Sequence, residues 1–122
     1  NCILAQRLVR MLCPRCKKQV KLTQQDLEDS AVEYEKYKDH PFYDNAGCKE
    51  CNYTGFRGRK AITEFLDLSD RIREMIIEKR PSSELRKAAL AEGMTTLRQS
   101  ALAKVMAGDT TLKEINRVTF IE

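Results

Sequence analysis

Four of the chain's five cysteines stand as two Cys-x-x-Cys pairs, Cys13/Cys16 and Cys48/Cys51. A Cys-x-x-Cys turn aims both sulfurs at one point, and two such turns brought together make a four-sulfur cage. Zn²⁺ suits that cage because it has no d-electron geometric preference and binds thiolate strongly. Four protein ligands leave no open coordination position, so the expected site is structural rather than hydrolytic. Zinc ribbons commonly place about 15–20 residues between the pairs. Here residues 17–47 intervene, so a small subdomain must be inserted between the two knuckles. Two disulfides, or a redox-active pair, are the competing readings. Iron held as in rubredoxin would fit the same cage. His40 could replace one sulfur, but four cysteines already fill the site, and it reads as a surface histidine before Pro41. Cys2 lies in an apolar-periodic stretch and reads as a small packed hydrophobe.

The elements that must position these pairs follow from periodicity and punctuation. Ile3, Leu4, Leu8, Val9, Met11 and Leu12 recur at helical spacing, which predicts a helix over 2–11 leading into the first knuckle. Thr23 and Asp26 read as an N-cap, with a helix from Gln24 to about Tyr37 broken near Ser30. Pro41 and Gly47 mark a loop into the second knuckle, and Thr54–Arg59 reads as a turn. Residues 60–68 alternate as a strand does, with 52–56 as a candidate hairpin partner. Ser69 caps a helix over 70–79 carrying Ile72, Met75 and Ile76. Pro81 opens a second helix, with Leu85, Ala88 and Ala89 inward and Gly93 at its end. A third runs over 94–107, and Thr111-Leu112-Lys113-Glu114 reads as a capping box for a fourth. The expected fold class is therefore α+β, mostly α: a four-cysteine zinc-knuckle subdomain followed by a small helical bundle.

Composition bounds the function. The chain has 122 residues, 42 % hydrophobic and 33 % charged, which allows a modest core that a metal cross-link would help to stabilise. No run approaches the roughly 20 apolar residues of a membrane span. The chain opens without Met or a signal sequence, so we expect a fragment of a longer protein, and unoxidised cysteine pairs point to the cytosol. The net charge of +4 is uneven. Residues 1–25 hold six basic residues and no acidic one, whereas residues 26–45 hold seven acidic residues beside Lys36 and Lys38. A basic head could bind nucleic acid or a membrane surface. It could equally offset the negative charge of four thiolates around one dication. No Gly-x-x-x-x-Gly-Lys-Ser/Thr loop and no Gly-x-Gly-x-x-Gly is present, and no nucleophile–base pair stands out.

Several ordered strings carry a resemblance. Ala5 to Cys16 is similar to the segment that enters the first cysteine pair in the secretion ATPases. Cys48 to Arg59 resembles their second pair with its Thr-Gly-aromatic-x-Gly-Arg continuation, and Ala61 to Leu66 their following strand. Gly93–Leu97 and Gly108–Ile115 match their closing motifs. The resemblance covers essentially the whole chain and fits the C-terminal part of the tetracysteine-bearing type II secretion and type IV pilus assembly ATPases. Ala61 departs from it, standing where that family often has Gly.

The resemblance implies a parent that is a hexameric cytoplasmic motor. It would hydrolyse ATP with Mg²⁺ and drive pilin or pseudopilin assembly and protein secretion at the inner membrane. Its phosphate loop and Mg²⁺-holding acidic motif would lie upstream of Asn1, so this fragment should not hydrolyse ATP. Three parts are expected: residues 1–12 as a helix left from the RecA-like core, 13–68 as the tetracysteine zinc-binding subdomain, and 69–122 as the helical subdomain. Cys13, Cys16, Cys48 and Cys51 would hold structural Zn²⁺. Gln6 and Arg7 would lie near the nucleotide core. Arg57 and Arg59 would contact a neighbouring subunit or a membrane platform protein, or else support the thiolates from a solvated turn, with Glu64 pairing one of them. The implied partners are the rest of the ATPase, the neighbouring subunits and the platform proteins, with no nucleic acid and no membrane span. A stand-alone zinc-stabilised protein- or nucleic-acid-binding module is the alternative, although residues 1–25 carry no aromatics among their basic residues.

Overall fold

A computed structural model of the chain describes residues 2–121, apart from the side chain of Cys2. The packing expected of Cys2 therefore lies outside the described residues. The dominant feature is a long antiparallel ribbon. Strand β1 (Cys2–Leu12) pairs with a later strand (Phe56–Asp67) from Cys2↔Asp67 to Arg10↔Arg59, and the register shifts between Arg10 and Leu12. The helix expected over 2–11 is thus a strand. Its apolar residues come as doublets, which fit a helix face and a two-sided strand equally well. The long partner strand decides the matter, because pairing satisfies the whole backbone ladder at once. The strand expected over 60–68 is correspondingly longer, and its partner is β1 rather than residues 52–56.

Between the two ribbon strands lies the inserted segment. Strand β2 (Lys18–Val20) pairs antiparallel with β3 (Phe42–Asp44), and α1 (Gln24–Asp29) and α2 (Tyr34–Tyr37) connect them. Thr23 caps α1 through a reciprocal box with Asp26. The break near Ser30 has a tertiary cause. Buried Ser30 gives its carbonyl to Arg98 Nη2 (2.6 Å) and its hydroxyl to Asn116 Nδ2 (3.0 Å), and Ala31 turns to φ 58°.

The second ribbon strand, β4, leads into four helices: α3 (Asp70–Ile77), α4 (Ser82–Ala91), α5 (Leu97–Met106) and α6 (Leu112–Val118). Ser69 Oγ accepts from Ile72 N and caps α3 as expected. Helix α5 starts later than residue 94, because Thr96 and Gln99 form a reciprocal cap. The helices are arranged as two pairs. Helices α5 and α6 pack over the ribbon, burying Val9, Ile62, Ala101, Val105 and Ile115 in one cluster that also takes Leu27 and Phe42 from the insert. Helices α3 and α4 share a smaller cluster of Ile72, Ala88 and Ala89. Among the described residues no helix is long and apolar enough to cross a membrane.

One buried charge joins the first helix pair to the ribbon. The Glu114 carboxylate, with no exposed side-chain surface, accepts from Arg10 N (2.9 Å), Arg10 Nε (3.1 Å) and Arg10 Nη2 (2.9 Å). It also accepts from Arg117 Nε (3.2 Å) and Nη2 (2.9 Å). Half of the expected capping box is therefore present: Glu114 N donates to Thr111 Oγ1, but the carboxylate turns to the ribbon instead of back to its own cap. Thr110 Oγ1 donating to Arg10 O (2.8 Å) and Leu12 N donating to Asp109 O (2.8 Å) complete the junction. Burial pushes the Glu114 carboxyl up, but the hydrogen bonds from Arg117 and Arg10 outweigh it and hold the carboxyl at about 2, against an ordinary 4.5.

The folded value lies below the unfolded one, so this group's contribution is complete above about pH 4.5 and is lost as pH falls toward 2. A shift of that size corresponds to about 3 kcal/mol. Glu114→Gln should therefore lower stability by about 3 kcal/mol at neutral pH and flatten the acid limb between pH 4.5 and 2. Denaturant titrations across that range check it, and parallel pH profiles for the two proteins would contradict the clamp.

Candidate metal centre

Both strands of the ribbon run into the cysteines at the same end. Cys13 directly follows β1, and its N–H donates to Gly55 O (2.9 Å), just before β4 begins. The first turn is closed by Lys17 N donating to Cys13 O (3.0 Å). The second is a 3-10 turn over Lys49–Cys51, with Tyr53 N donating to Cys48 O (2.8 Å). Two glycines make this packing possible. A Cβ at Gly55 would overlap the Asn45 side chain, and one at Gly47 would stand 2.9 Å from the Tyr53 carbonyl oxygen. Both sit at positive φ, where glycine is tolerated at no steric cost.

The four sulfurs meet as expected. Cys13 and Cys48 Sγ are 3.8 Å apart, Cys16 and Cys51 are 3.8 Å apart, and Cys48 and Cys51 are 3.7 Å apart. All four lie within 4.8 Å of one another. A disulfide needs about 2.05 Å, so these are four free thiols and not two bridges. A regular tetrahedron with metal–sulfur bonds of about 2.3 Å has edges of about 3.8 Å, which fits these three separations. A redox pair works as one exposed Cys-x-x-Cys. Here each pair faces the other, and Cys13 and Cys51 are buried.

Backbone N–H groups prepare the sulfurs for negative charge. Gly47 N donates to Cys16 Sγ (3.3 Å), and Cys48 N (3.3 Å) and Gly55 N (3.2 Å) donate to Cys51 Sγ. Burial pushes the Cys51 thiol up, but the Cys48 and Gly55 N–H groups outweigh it and bring it down to about 6. Burial pushes the Cys48 thiol up to about 11. Four sulfurs this close cannot all carry charge unaided, and a thiophilic dication at their centre would relieve the repulsion. The cage could therefore hold a metal ion in a closed, non-catalytic site.

The other candidate residues lie elsewhere. Gln6 and Arg7 are exposed on β1, opposite Thr63 and Ile62, and are not brought to the cage. Arg57 is exposed and pairs with Glu50 at 3.8 Å, and Arg59 is exposed opposite Arg10. Glu64 pairs with Arg86 (3.7 Å) and accepts from Leu97 N (3.1 Å), so it joins neither Arg57 nor Arg59, which lie in β4 rather than in the turn expected over 54–59. Lys17 Nζ donates to Gly108 O (2.9 Å) and lies over the Tyr43 ring. His40 is half-buried and lies outside the sulfur cluster. Its Nε2 is 2.7 Å from Met106 O, and its ring stands edge-on to Tyr37 and Phe42. Pattern reading missed the N–H donors at Gly47 and Gly55, although Gly in a cysteine knuckle was the available signal.

The chain matches the family described as Type II/IV secretion system protein over residues 1–117. It is 43 % identical over 116 residues to the type IV pilus assembly ATPase PilB of Myxococcus xanthus, covering 94 % of this chain and 20 % of that protein. It is 40 % identical over 118 residues to the type II secretion system protein E of Dickeya dadantii, covering 96 % and 22 %. With PilB of Thermus thermophilus it shares 37 % over 113 residues, covering 93 % and 13 %. The chain thus spans about a fifth or less of the length of these relatives. Extended identity of this kind, together with the four-cysteine cluster, means that the chain belongs to the type II/IV secretion system protein family.

Proposed function

We propose that this chain is the zinc-binding region of a secretion or pilus assembly motor ATPase, and that it works as a rigid coupling arm. The observation that carries this reading is the closed sulfur cage at the root of the ribbon, built from both ribbon ends and free of any open ligand position. Cys13, Cys16, Cys48 and Cys51 hold one structural Zn²⁺. ATP and Mg²⁺ belong to the rest of the parent polypeptide, which hydrolyses ATP as a hexamer on the cytoplasmic face of the inner membrane. Residues 13–68 form the knuckle subdomain and residues 69–122 the helical one. Residues 1–12 belong with the motor core, beside which Gln6 and Arg7 lie. Leu4, Leu8 and Phe65 support that attachment: they share one ribbon face and each is more than half exposed. A two-stranded ribbon with such a face is a poor free-standing unit. Arg57 and Arg59 stand ready for a neighbouring subunit or a platform protein of the secretion or pilus system. Rigidity matters because a floppy arm would dissipate ATP-driven displacement in its own motion.

Elemental analysis with thiol titration should give one zinc per chain and no disulfide. A metal-free protein with two disulfides would overturn the site, and a visible thiolate–iron band would reassign it to iron. Cys48→Ser should release the metal and raise amide exchange over residues 13–59 far more than in the helices after Ser69, while Cys2→Ser should keep full metal content. The chain alone should bind no ATP in a calorimetric titration, since it has no phosphate-cradling loop. In the whole parent, Cys13→Ser with Cys16→Ser should abolish pilus or secretion output and leave much of the basal ATPase rate. Normal output from that variant would reduce the cage to a local folding device.

A further inference from the structure

The sulfur cage is not uniform. Cys13 and Cys51 are buried, at 0 % and 5 % exposure, whereas Cys16 and Cys48 are partly exposed. Each Cys-x-x-Cys turn thus supplies one sheltered and one reachable cysteine. The short contacts run as a chain: Cys13 to Cys48 at 3.8 Å, Cys48 to Cys51 at 3.7 Å and Cys51 to Cys16 at 3.8 Å. Bridging the middle contact would strand Cys13 and Cys16 at opposite ends of that chain. Bridging the two outer contacts uses all four sulfurs, and each bridge joins a reachable cysteine to a sheltered one on the other turn. A reachable thiolate with a second sulfur close by is oxidised to a disulfide and no further, because the neighbour captures the sulfenic acid. Without such a neighbour, oxidation runs on to sulfinic and sulfonic acids, which thiols do not reverse.

The outer bridges would also tie the points that the cage ties. Cys13 directly follows β1, and its N–H donates to Gly55 O (2.9 Å), just before β4 begins. Cys48 and Cys51 stand on the turn that leads into that strand. A bridge from one turn to the other therefore keeps this end of the ribbon closed. Bridges confined to single turns would leave no covalent tie between them.

We propose that the cage is a reversible oxidation switch: peroxide attacks Cys16 and Cys48, Cys51 and Cys13 resolve them, and two disulfides between the turns replace the metal as the tie. This deepens the reading of the cage as a zinc site and rests on it. In the first step a reachable thiolate attacks a peroxide oxygen, the O–O bond breaks and hydroxide leaves, giving a sulfenic acid. In the second the sheltered thiolate attacks the sulfenic sulfur, the S–O bond breaks and a second hydroxide leaves. The two sulfurs lose two electrons, and the peroxide becomes two waters with two protons from solvent. A second peroxide oxidises the other pair in the same way. Disulfide sulfurs no longer carry the thiolate charge that binds Zn²⁺, so the ion is released. A dithiol reverses the bridges and restores the ligands.

The test uses the full-length polypeptide that carries this chain, purified reduced, with its zinc measured before hydrogen peroxide is added. Trypsin cuts after Arg10, Arg15, Lys17, Lys38, Lys49 and Arg57, so the four cysteines fall on separate peptides and their pairing is read directly by mass. Oxidation should release the zinc to a chromogenic chelator and give the pairs Cys13–Cys48 and Cys16–Cys51. Brief treatment with dimedone present should label Cys16 and Cys48 about tenfold more than Cys13 and Cys51, because the trap takes sulfenic acid where it forms. Dithiothreitol with added zinc should restore the original metal content. Amide exchange at Cys13 N–H should be about tenfold slower in the oxidised protein than in protein stripped by a chelator under dithiothreitol. Bridges within a turn, label on the sheltered pair, sulfinic acid in place of bridges, zinc retained on free thiols, or equal exchange in the oxidised and stripped forms would each overturn the switch and leave the zinc site standing. A reduced protein without zinc before any oxidant would overturn the site and the switch together.

Discussion

The structure depends on one buried carboxylate. Glu114 sits where the start of α6 meets the end of β1, and it takes both side-chain and backbone donors from Arg10. Arg10 in turn lies over the Phe56 ring, at the first residue of β4. A single group therefore reaches α6, both ribbon strands and the approach to Cys13. Such a group is costly to bury and becomes tolerable only because five donor contacts surround it. Removing one partner would leave the remaining charge stranded, so the junction behaves as a unit rather than as separate contacts.

The cage finishes what that junction begins. A two-stranded ribbon has two open edges and little core of its own. Here the helices α5 and α6 cover one face and the sulfurs close one end. Because the cysteines lie at both strand ends, holding them together also closes the loop formed by residues 17–47. Loop closure of this length costs chain entropy, which a metal held by the four sulfurs would offset. The insert is then free to contribute its own packing, with Leu27 and Phe42 joining Val9 and Ile62 in the main cluster.

Gly108 shows how tightly these parts are fitted. It ends α5, its carbonyl takes Lys17 Nζ, and a Cβ there would press to 3.0 Å from the Tyr43 ring. The knuckle, the insert and the helical part thus meet at one corner, close to the Glu114 junction. By contrast α3 and α4 hold mainly to each other, over Ile72, Ala88 and Ala89. The second helix pair is the more separate unit of packing, joined to the end of β4 through Leu66 and Leu68.

Local chemistry was legible in the sequence. The cysteine spacing named all four sulfurs of the cage, since Cys-x-x-Cys geometry is settled within each turn. Thr23, Ser69 and Thr111 mark helix starts because capping is a contact between residues three apart. The order of motifs carried the family. Long-range pairing was not legible. The doublets Ile3-Leu4 and Leu8-Val9 suit a helix as well as a strand, and only β4, more than forty residues away, selects the strand. The destinations of Glu114, Glu64 and His40 were equally hidden. A polar side chain bonds whatever backbone or charge the fold brings within reach, and that is decided by tertiary packing rather than by neighbours in sequence.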